Sequence, residues 1–417
     1  MFLPVNEQME IITKGALEVI QTEDLQEKLR EGRPLRIKLG LDPSAPDLHL
    51  GHAVVLRKIR QMQELGHEAI IIIGDFTGAI GDPSGKSKTR PQLTREQVEA
   101  NALTYQQQLY KILDREKTTV LFNSSWLGEM NFRQVLELAS QVTVARILER
   151  DDFANRFAKQ QPIGLHEFFY PLMQAWDSIQ IQADIELGGQ DQRFNILMGR
   201  TLQKSMGMES QVALFMPLLV GLDGVEKMSK SLGNYVGITE DANTMFQKVM
   251  KIGDEQILSY YTLCTDLHPR DIRTVQSRLE EGENPRDVKI ELAHEITRLY
   301  HDASAADMAR QEFIQIFQKR AVPATLPLFP VTGAVLREGA IDLTKVLVQA
   351  GLASSGSEVR RLVAQAGVKA EGIILRDFLL SAPLPVTIQV GKAKYVKLVK
   401  DKALKDPPSS EARHFRG

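Results

Sequence analysis

Residues 35–73 read LRIKLGLDPSAPDLHLGHAVVLRKIRQMQELGHEAIIII, and this stretch decides the fold. Leu35 to Leu39 alternates apolar and polar side chains as a half-buried strand does, and Gly40, Pro43 and Pro46 break the pattern. His52 to Leu65 places its apolar residues at helical spacing and stops at Gly66. Ala69-Ile70-Ile71-Ile72-Ile73 is short and continuously apolar, which suits a central strand covered on both faces. Strand, helix, strand in this order is a βαβ unit, so an open, Rossmann-like parallel α/β sheet is expected in the N-terminal half. Such sheets bind ligands at the carboxyl ends of their strands.

On either side the pattern is coarser. Residues 6–32 read as helical, closed by Gly32 and Pro34. Thr119–Phe122 reads as a further strand, residues 131–160 as helix of mixed charge, and residues 178–187 as a strand leading into Gly188-Gly189. Residues 240–318 read as all-helical, and the Pro- and Gly-bearing stretch Ala321–Gly339 as a linker. Beyond it come two short helices, Leu343–Ala350 and Ser357–Ala364, and a hairpin, Val386–Leu398, with lysines on one side.

The bulk numbers narrow the class. A chain of 417 residues with 43% hydrophobic and 25% charged residues can build two or three packed domains. No apolar run approaches the ~20 residues of a membrane span, and the N-terminus carries acids where a signal peptide has an apolar core. A single cysteine, Cys264, excludes an intramolecular disulfide framework and a thiolate-rich zinc site, and a reducing, cytoplasmic setting fits. The net charge of −2 hides an asymmetry. Asp342–Lys402 holds ten Lys or Arg against five Asp or Glu, which leaves −7 for the rest of the chain. A basic terminal module on an acidic body points to a polyanion partner.

Three stretches could carry chemistry. His49-Leu50-Gly51-His52 sits where the helix begins, with both imidazoles on one face beside unpaired backbone N–H groups that favour phosphate. The same spacing also fits capping histidines or half of a metal site. Asp75–Arg90 is Gly-rich but is not a P-loop, because Ile80 stands where the pattern needs glycine; it leaves Asp82 near Lys86, Lys88 and Arg90. Lys227-Met228-Ser229-Lys230-Ser231 lies in a Gly-bounded loop whose ammonium groups could reach a triphosphate on closure. Separately, Tyr170, Gln174 and Asp177 fall at i, i+4 and i+7, so a phenol, an amide and a carboxylate can share one helix face.

HLGH, GDPSGK, GGQDQ and KMSKS in this order, followed by a helical region and a basic tail, resemble the bacterial tyrosyl-tRNA synthetases, and the tail resembles the S4 RNA-binding domain. The resemblance runs from about Arg33 to the last hairpin. It implies an ATP-dependent ligase that converts L-tyrosine to tyrosyl-adenylate and then esterifies tRNA(Tyr). His49, His52, Lys227, Lys230, Lys86 and Arg90 are then the catalytic candidates. Gly40, Asp42, Ser44, Gly51, Asp191, Met228 and Ser229 join the histidines and loop lysines around ATP and the adenylate. Asp82, Tyr170, Gln174, Asp177, Gln192 and Lys38 form the tyrosine-binding set, with Asp177 accepting from the phenolic hydroxyl. Many such enzymes have tyrosine at the position of Lys38; a bacterial subgroup resembling this chain shows the same change.

Further expectations follow from the resemblance. ATP arrives with Mg2+ as substrate, no tightly held metal is ligated by protein, and the chain forms a homodimer through residues 131–168. The expected domains are a catalytic domain 1–236, an α-helical domain 237–325, an S4 domain 338–404 and a flexible tail 405–417. Two rivals are a small-molecule nucleotidyltransferase, which needs neither the RNA module nor the Tyr170–Asp177 face, and a non-catalytic RNA-binding regulator, against which the four residues His49, His52, Lys227 and Lys230 speak.

Overall fold

The computed structural model describes residues 2–42, 48–80, 104, 106–318, 326–391 and 394–401. The chain divides into two compact units, Met1–Asp307 and Met308–Gly417. The first is built on strands β1 (Glu18–Ile20), β2 (Arg36–Leu41), β3 (Glu68–Ile73), β4 (Thr118–Phe122), β5 (Ile185–Gly189) and β6 (Val212–Met216). They form one sheet in the order β1-β6-β5-β2-β3-β4, parallel throughout except that β1 runs antiparallel to β6. Ala69–Ile73 and the whole of β6 are buried, as their unbroken apolar runs require in a sheet covered on both faces.

Strand order reverses between β2 and β5. From β2 the chain steps outward to β3 and β4, then returns to β5 on the other side and continues to β6. The β2–β5 ladder is short: it pairs only Ile37 with Ile185 and Lys38 with Glu186. Beyond that second pair the strands part, and a crevice opens at their carboxyl ends.

Helices α1 (Val5–Thr13), α2 (Thr22–Arg30) and α3 (Leu50–Glu64) come early, α4 (Phe132–Ala139), α5 (Val144–Ile147) and α6 (Asp151–Ala158) follow β4, and α7 (Tyr170–Gln180) and α8 (Arg193–Ser205) flank β5. After β6 come α9 (Ala242–Val249), α10 (Ile257–Cys264), α11 (Pro269–Glu280), α12 (Pro285–Tyr300) and α13 (Ala303–Phe313). Proline at the first position and a side-chain cap from His268 or Asn284 start α11 and α12. The helical stretch is tied to the sheet unit by buried cations. Arg57 on α3 pairs with Asp266, and Lys14 donates to the Thr265 and Leu267 carbonyls at 3.0 and 2.9 Å, while Lys58 on α3 instead joins α1 through the Ile11 carbonyl at 2.6 Å.

The second unit holds a five-stranded and a three-stranded sheet. Its strands are β7 (Leu328–Val331), β8 (Leu336–Arg337), β9 (Ala340–Asp342), β10 (Val368–Ala370), β11 (Ile373–Ile374), β12 (Leu379–Leu380), β13 (Val386–Val390) and β14 (Lys394–Lys400). The orders are β11-β10-β13-β14-β7 and β12-β9-β8. Helices α14 (Leu343–Gln349) and α15 (Gly356–Ala364) pack Leu343, Val346, Leu347, Val359 and Val363 onto Ile388, Val396 and Leu398.

Several sequence expectations are corrected. The helical reading of 6–32 is interrupted by β1, because Gly15 turns into the left-handed region at φ +67° and ends α1. The stretch 131–160, expected to be helical, is divided into three short helices. The strand expected over 178–187 starts at Ile185, since α7 runs on to Gln180. The linker 321–339 contains β7 and β8, where β7 gains its partners by pairing in parallel with β14. Lys394 and Lys400 fall on one face of β14 by strand alternation and Lys397 on the other, so its lysines are not one-sided. The tail 405–417 lies outside the described residues. Among the described residues no helix is long and apolar enough to cross a membrane.

One glycine fixes how closely α8 approaches the sheet. A Cβ on Gly199 would lie 2.6 Å from Gln211 Nε2, 3.2 Å from Ser178 Oγ and 3.3 Å from Glu186 Oε2. Gly199→Ala is therefore expected to lower the unfolding free energy by about 1–3 kcal/mol in denaturant titration. An unchanged midpoint would mean that α8 can move away at no cost.

Candidate active site

The crevice between β2 and β5 is lined by Gly40 and Asp42 from the end of β2, Gly51 and His52 from α3, Tyr170, Gln174 and Asp177 from α7, Gly188 and Gly189 from the end of β5, and Asp191 and Gln192 just after it. The topology thus brings nine of the fifteen expected residues that the structure describes into one cleft. Ser44, Asp82, Lys86 and Arg90 lie outside the described residues.

A chain of hydrogen bonds runs along one wall. Tyr170 donates its hydroxyl proton to Asp42 Oδ2 at 2.7 Å, and Thr77 Oγ1 donates to Asp42 Oδ1 at 3.1 Å. Asn123 Nδ2 donates to Thr77 Oγ1 at 3.2 Å and to Asp177 Oδ2 at 3.4 Å. Trp126 Nε1 donates to Asp177 Oδ1 at 2.8 Å. Gly74 is needed here, because a Cβ would sit 2.1 Å from Asp42 Oδ1 and 2.3 Å from Thr77 Oγ1. Asn123, Trp126 and Thr77 were not among the sequence candidates. Asn123 is the first residue after β4, so the strand-end rule could have pointed to it.

Burial pushes the Asp177 carboxyl up to about 7, against the pull of the Lys38 ammonium and of the Trp126 and Asn123 donors, while Glu186 adds to the push. Asp177 is therefore a buried acceptor poised near neutrality at the floor of the cleft. Lys38, expected in the tyrosine-binding set, is fully buried beneath that floor and does not line the cleft. Its ammonium donates to the Gln174 carbonyl at 2.7 Å and Ser178 Oγ at 2.7 Å and pairs with Glu186 at 3.0 Å. Gln174 Nε2 donates in turn to Glu186 Oε1 at 3.1 Å. Across the cleft, Asn195 Nδ2 donates to Gln192 Oε1 at 3.2 Å.

At the mouth the two motif segments meet. The Leu50 N–H donates to the Val236 carbonyl at 2.9 Å and the Ile238 N–H to the Leu48 carbonyl at 3.2 Å, an antiparallel bridge between the start of α3 and the segment after the Lys227–Ser231 loop. Met228 is buried, and a Cβ on Gly51 would lie 3.4 Å from its Cβ and 3.0 Å from the His49 ring. The loop base is held by Asn234, whose Oδ1 accepts from the Ser229 N–H at 2.8 Å and whose Nδ2 donates to Asp223 at 2.6 Å and the Lys227 carbonyl at 3.2 Å. Lys227 is exposed; Lys230 lies 6.0 Å from the Tyr235 ring centre.

Burial, His52 and Lys230 lower the His49 imidazole to about 3, and burial and Lys230 lower His52. Both rings are neutral at pH 7, with centres 3.9 Å apart and planes tilted by 31°. The His49 backbone N–H donates to His52 Nδ1 at 3.4 Å, which leaves Nε2 as the His52 donor. His49 Nδ1 is buried without a hydrogen-bond partner among the described residues. Capping and ligand binding are thus both available to this pair. No group of three metal-ligating side chains occurs among the described residues.

A cleft at the reversal of a parallel sheet, with a histidine pair at a helix start bridged to a Lys-Met-Ser-Lys-Ser loop, is the frame of a class I synthetase. The family model of class I tRNA synthetases (W and Y) matches residues 30–318. Tyrosine–tRNA ligase 2 of Clostridium acetobutylicum is 55% identical over 403 residues, covering 95% of this chain and 99% of its own length. The tyrosine–tRNA ligase of Carboxydothermus hydrogenoformans is 52% identical over 411 residues, covering 96% and 100%. Among solved structures, the tyrosyl-tRNA synthetase of Archaeoglobus fulgidus complexed with L-tyrosine shares the fold with a TM-score of 0.61 at 24% identity, over 74% of this chain and 100% of that one. The chain belongs to the class I tRNA synthetases of the W and Y family and, within them, to the tyrosine–tRNA ligases.

The Asp177 environment yields a sign-definite test. Its folded-state pKa of about 7 lies above the ordinary 3.8, so the folded state holds the proton more tightly and loses stability as pH rises through that window. Asp177→Asn lacks this contribution. The stability of Asp177→Asn relative to the parent should therefore grow between pH 4 and pH 8 in the ligand-free protein. A pH-independent difference would contradict the assignment.

Proposed function

We propose that the cleft activates L-tyrosine with its phenol at Asp177 and its reacting carboxylate toward the histidine mouth. The observation that carries this reading is the placement of one buried acceptor, Asp177, at the closed end of a cleft whose open end joins both phosphate-binding motifs. Tyrosine brings a hydroxyl to that depth, and phenylalanine would leave the buried groups unpaired. Tyrosyl-tRNA synthetases are themselves the standard example of such discrimination by unpaired polar groups.

The residue roles follow from donor and acceptor direction. Tyr170 gives its proton to Asp42, so its oxygen can accept from the α-ammonium, beside Gln174 and Asp82. Gln192, with its oxygen engaged by Asn195, directs its amide nitrogen at the substrate carboxylate. Gly51 lets the adenine approach the backbone, His52 and Asp191 serve the ribose, Gly40 and Asp42 flank the adenylate, and Ser44 and His49 face the phosphates. The tyrosine carboxylate oxygen attacks the α-phosphorus of MgATP in line, and pyrophosphate leaves. Lys227, Lys230, Lys86 and Arg90 stabilise the charge on it, with Met228 and Ser229 seating the loop. The terminal ribose hydroxyl of tRNA(Tyr) then attacks the acyl carbon and AMP departs. No side chain acts as nucleophile; positioning and charge stabilisation suffice.

The same reading extends to partners. Mg2+ enters with ATP as part of the substrate. Residues 338–404 act as an S4-like module that grips tRNA phosphates, so binding weakens with salt, and the reaction belongs in the cytoplasm. Residues 237–325 serve as the helical anticodon-side domain. Phe132, Leu136, Val144, Phe157 and Leu165 are exposed on the 131–168 segment, while Leu138, Ile147 and Phe153 pack inward against α7 and α8. Such exposed apolar side chains suit a second copy of the chain.

Two measurements check these assignments. ATP–pyrophosphate exchange should depend on L-tyrosine and be unsupported by phenylalanine or tryptophan; exchange with tryptophan at the tyrosine rate would overturn the amino-acid assignment. Sedimentation should give a dimer that Phe157→Glu with Leu165→Glu converts to monomer, whereas a monomeric parent chain would remove the homodimer.

A further inference from the structure

Lys38 and Glu186 face each other across the last rung of the β2–β5 ladder, 0% and 1% exposed, directly under the cleft. Every donor of the Lys38 ammonium is used, by the Gln174 carbonyl, Ser178 Oγ and Glu186 Oε1. Glu186 Oε2 accepts from Ser178 Oγ at 3.1 Å and from Gln211 Nε2, and Gln211 is itself anchored to the Ile196 carbonyl at 3.3 Å. Glu186 is thus held from three elements and cannot turn. Its Oε1 also accepts from Gln174 Nε2, the one bond in the network made by a cleft-lining side chain.

An amide has an acceptor at one end and a donor at the other. An ammonium ligand needs the acceptor. If the Gln174 amide were flipped, its oxygen would face the Glu186 carboxylate with no proton between them, and its NH2 would face the ligand. We propose that Glu186, kept in place by Lys38, is a positioning residue for amino-acid recognition: by taking the Gln174 N–H it turns the amide oxygen toward the substrate α-ammonium. This rests on the assignment of Gln174 to that ammonium. It also gives Lys38 a role in a cleft it does not enter.

The test removes both charges together, because a single substitution would leave the other buried and unpaired. K38M/E186L should fold and should raise KM for tyrosine in pyrophosphate exchange by about tenfold, with KM for ATP within about twofold. K38M/E186Q keeps an acceptor in the same place and should recover most of that loss. Inhibition by 3-(4-hydroxyphenyl)propionate, which is tyrosine without its ammonium, should be equal in the two. If E186L fails to fold, Gln211→Leu loosens Glu186 while leaving the ion pair, and the same selective rise of about threefold is expected. Parental KM for tyrosine in K38M/E186L or in Gln211→Leu, or an equal loss for the ammonium-free inhibitor, would overturn the proposal. Gln174→Ala separates the two claims. Weakened tyrosine binding in it alone leaves the ammonium assignment standing and removes only the positioning role, whereas an unchanged KM removes the assignment itself.

Discussion

The Lys38–Glu186 pair is the constraint on which the rest of the cleft depends. It closes the ladder between β2 and β5, and the strands part immediately beyond it. The same two side chains reach α7 through Gln174 and Ser178 and the start of β6 through Gln211. A buried ion pair is a weak source of net stability because two charges must be desolvated. Here the Lys38 ammonium and both Glu186 oxygens are fully matched, although the neighbouring Gln211 Oε1 is left without a partner among the described residues, and what the pair supplies is geometry. It sets where α7 lies, and therefore where Tyr170, Gln174 and Asp177 stand.

Above this floor the site runs from a buried acceptor, Asp177, to the exposed cation of Lys227. Asp177 is buried at one side of it, with its carboxyl raised by burial. The hydrogen-bonded chain Asp177–Asn123–Thr77–Asp42–Tyr170 then carries one fixed set of donor directions along the wall. At the mouth, burial keeps His49 and His52 neutral, so they contribute N–H dipoles while Lys230 and Lys227 contribute charge. The bridge from Leu48–Leu50 to Val236–Ile238 makes the histidine motif and the lysine loop one mechanical piece.

Much of this was legible in residues 35–73, because strand and helix periods differ and glycine marks the breaks. The Tyr170–Asp177 face was legible for the same reason, since helical spacing alone places those side chains together. Lys38 was misplaced by sequence reasoning. Its partner Glu186 is 148 residues away, and the register that opposes them is a property of the assembled sheet. Asn123 and Trp126 were missed because neither belongs to a motif, although strand β4 ends just before them. The strand β1 escaped notice because it is three residues long and follows one left-handed glycine. In the second unit, β7 contains Pro330, which local pattern reads as a break; it is stabilised as an edge strand by its pairing with β14.

The central claim is that one cleft, floored by this pair, holds tyrosine by its phenol and presents its carboxylate to ATP between the two motifs. A crystal structure with a non-hydrolysable tyrosyl-adenylate analogue tests it most directly. The phenolic oxygen is predicted within hydrogen-bond distance of Asp177, the α-ammonium beside Gln174 Oε1 and the Tyr170 oxygen, and the adenine over Gly51. An analogue bound with its phenol away from Asp177, or with the adenylate outside the space between His52 and Asp191, would contradict the account.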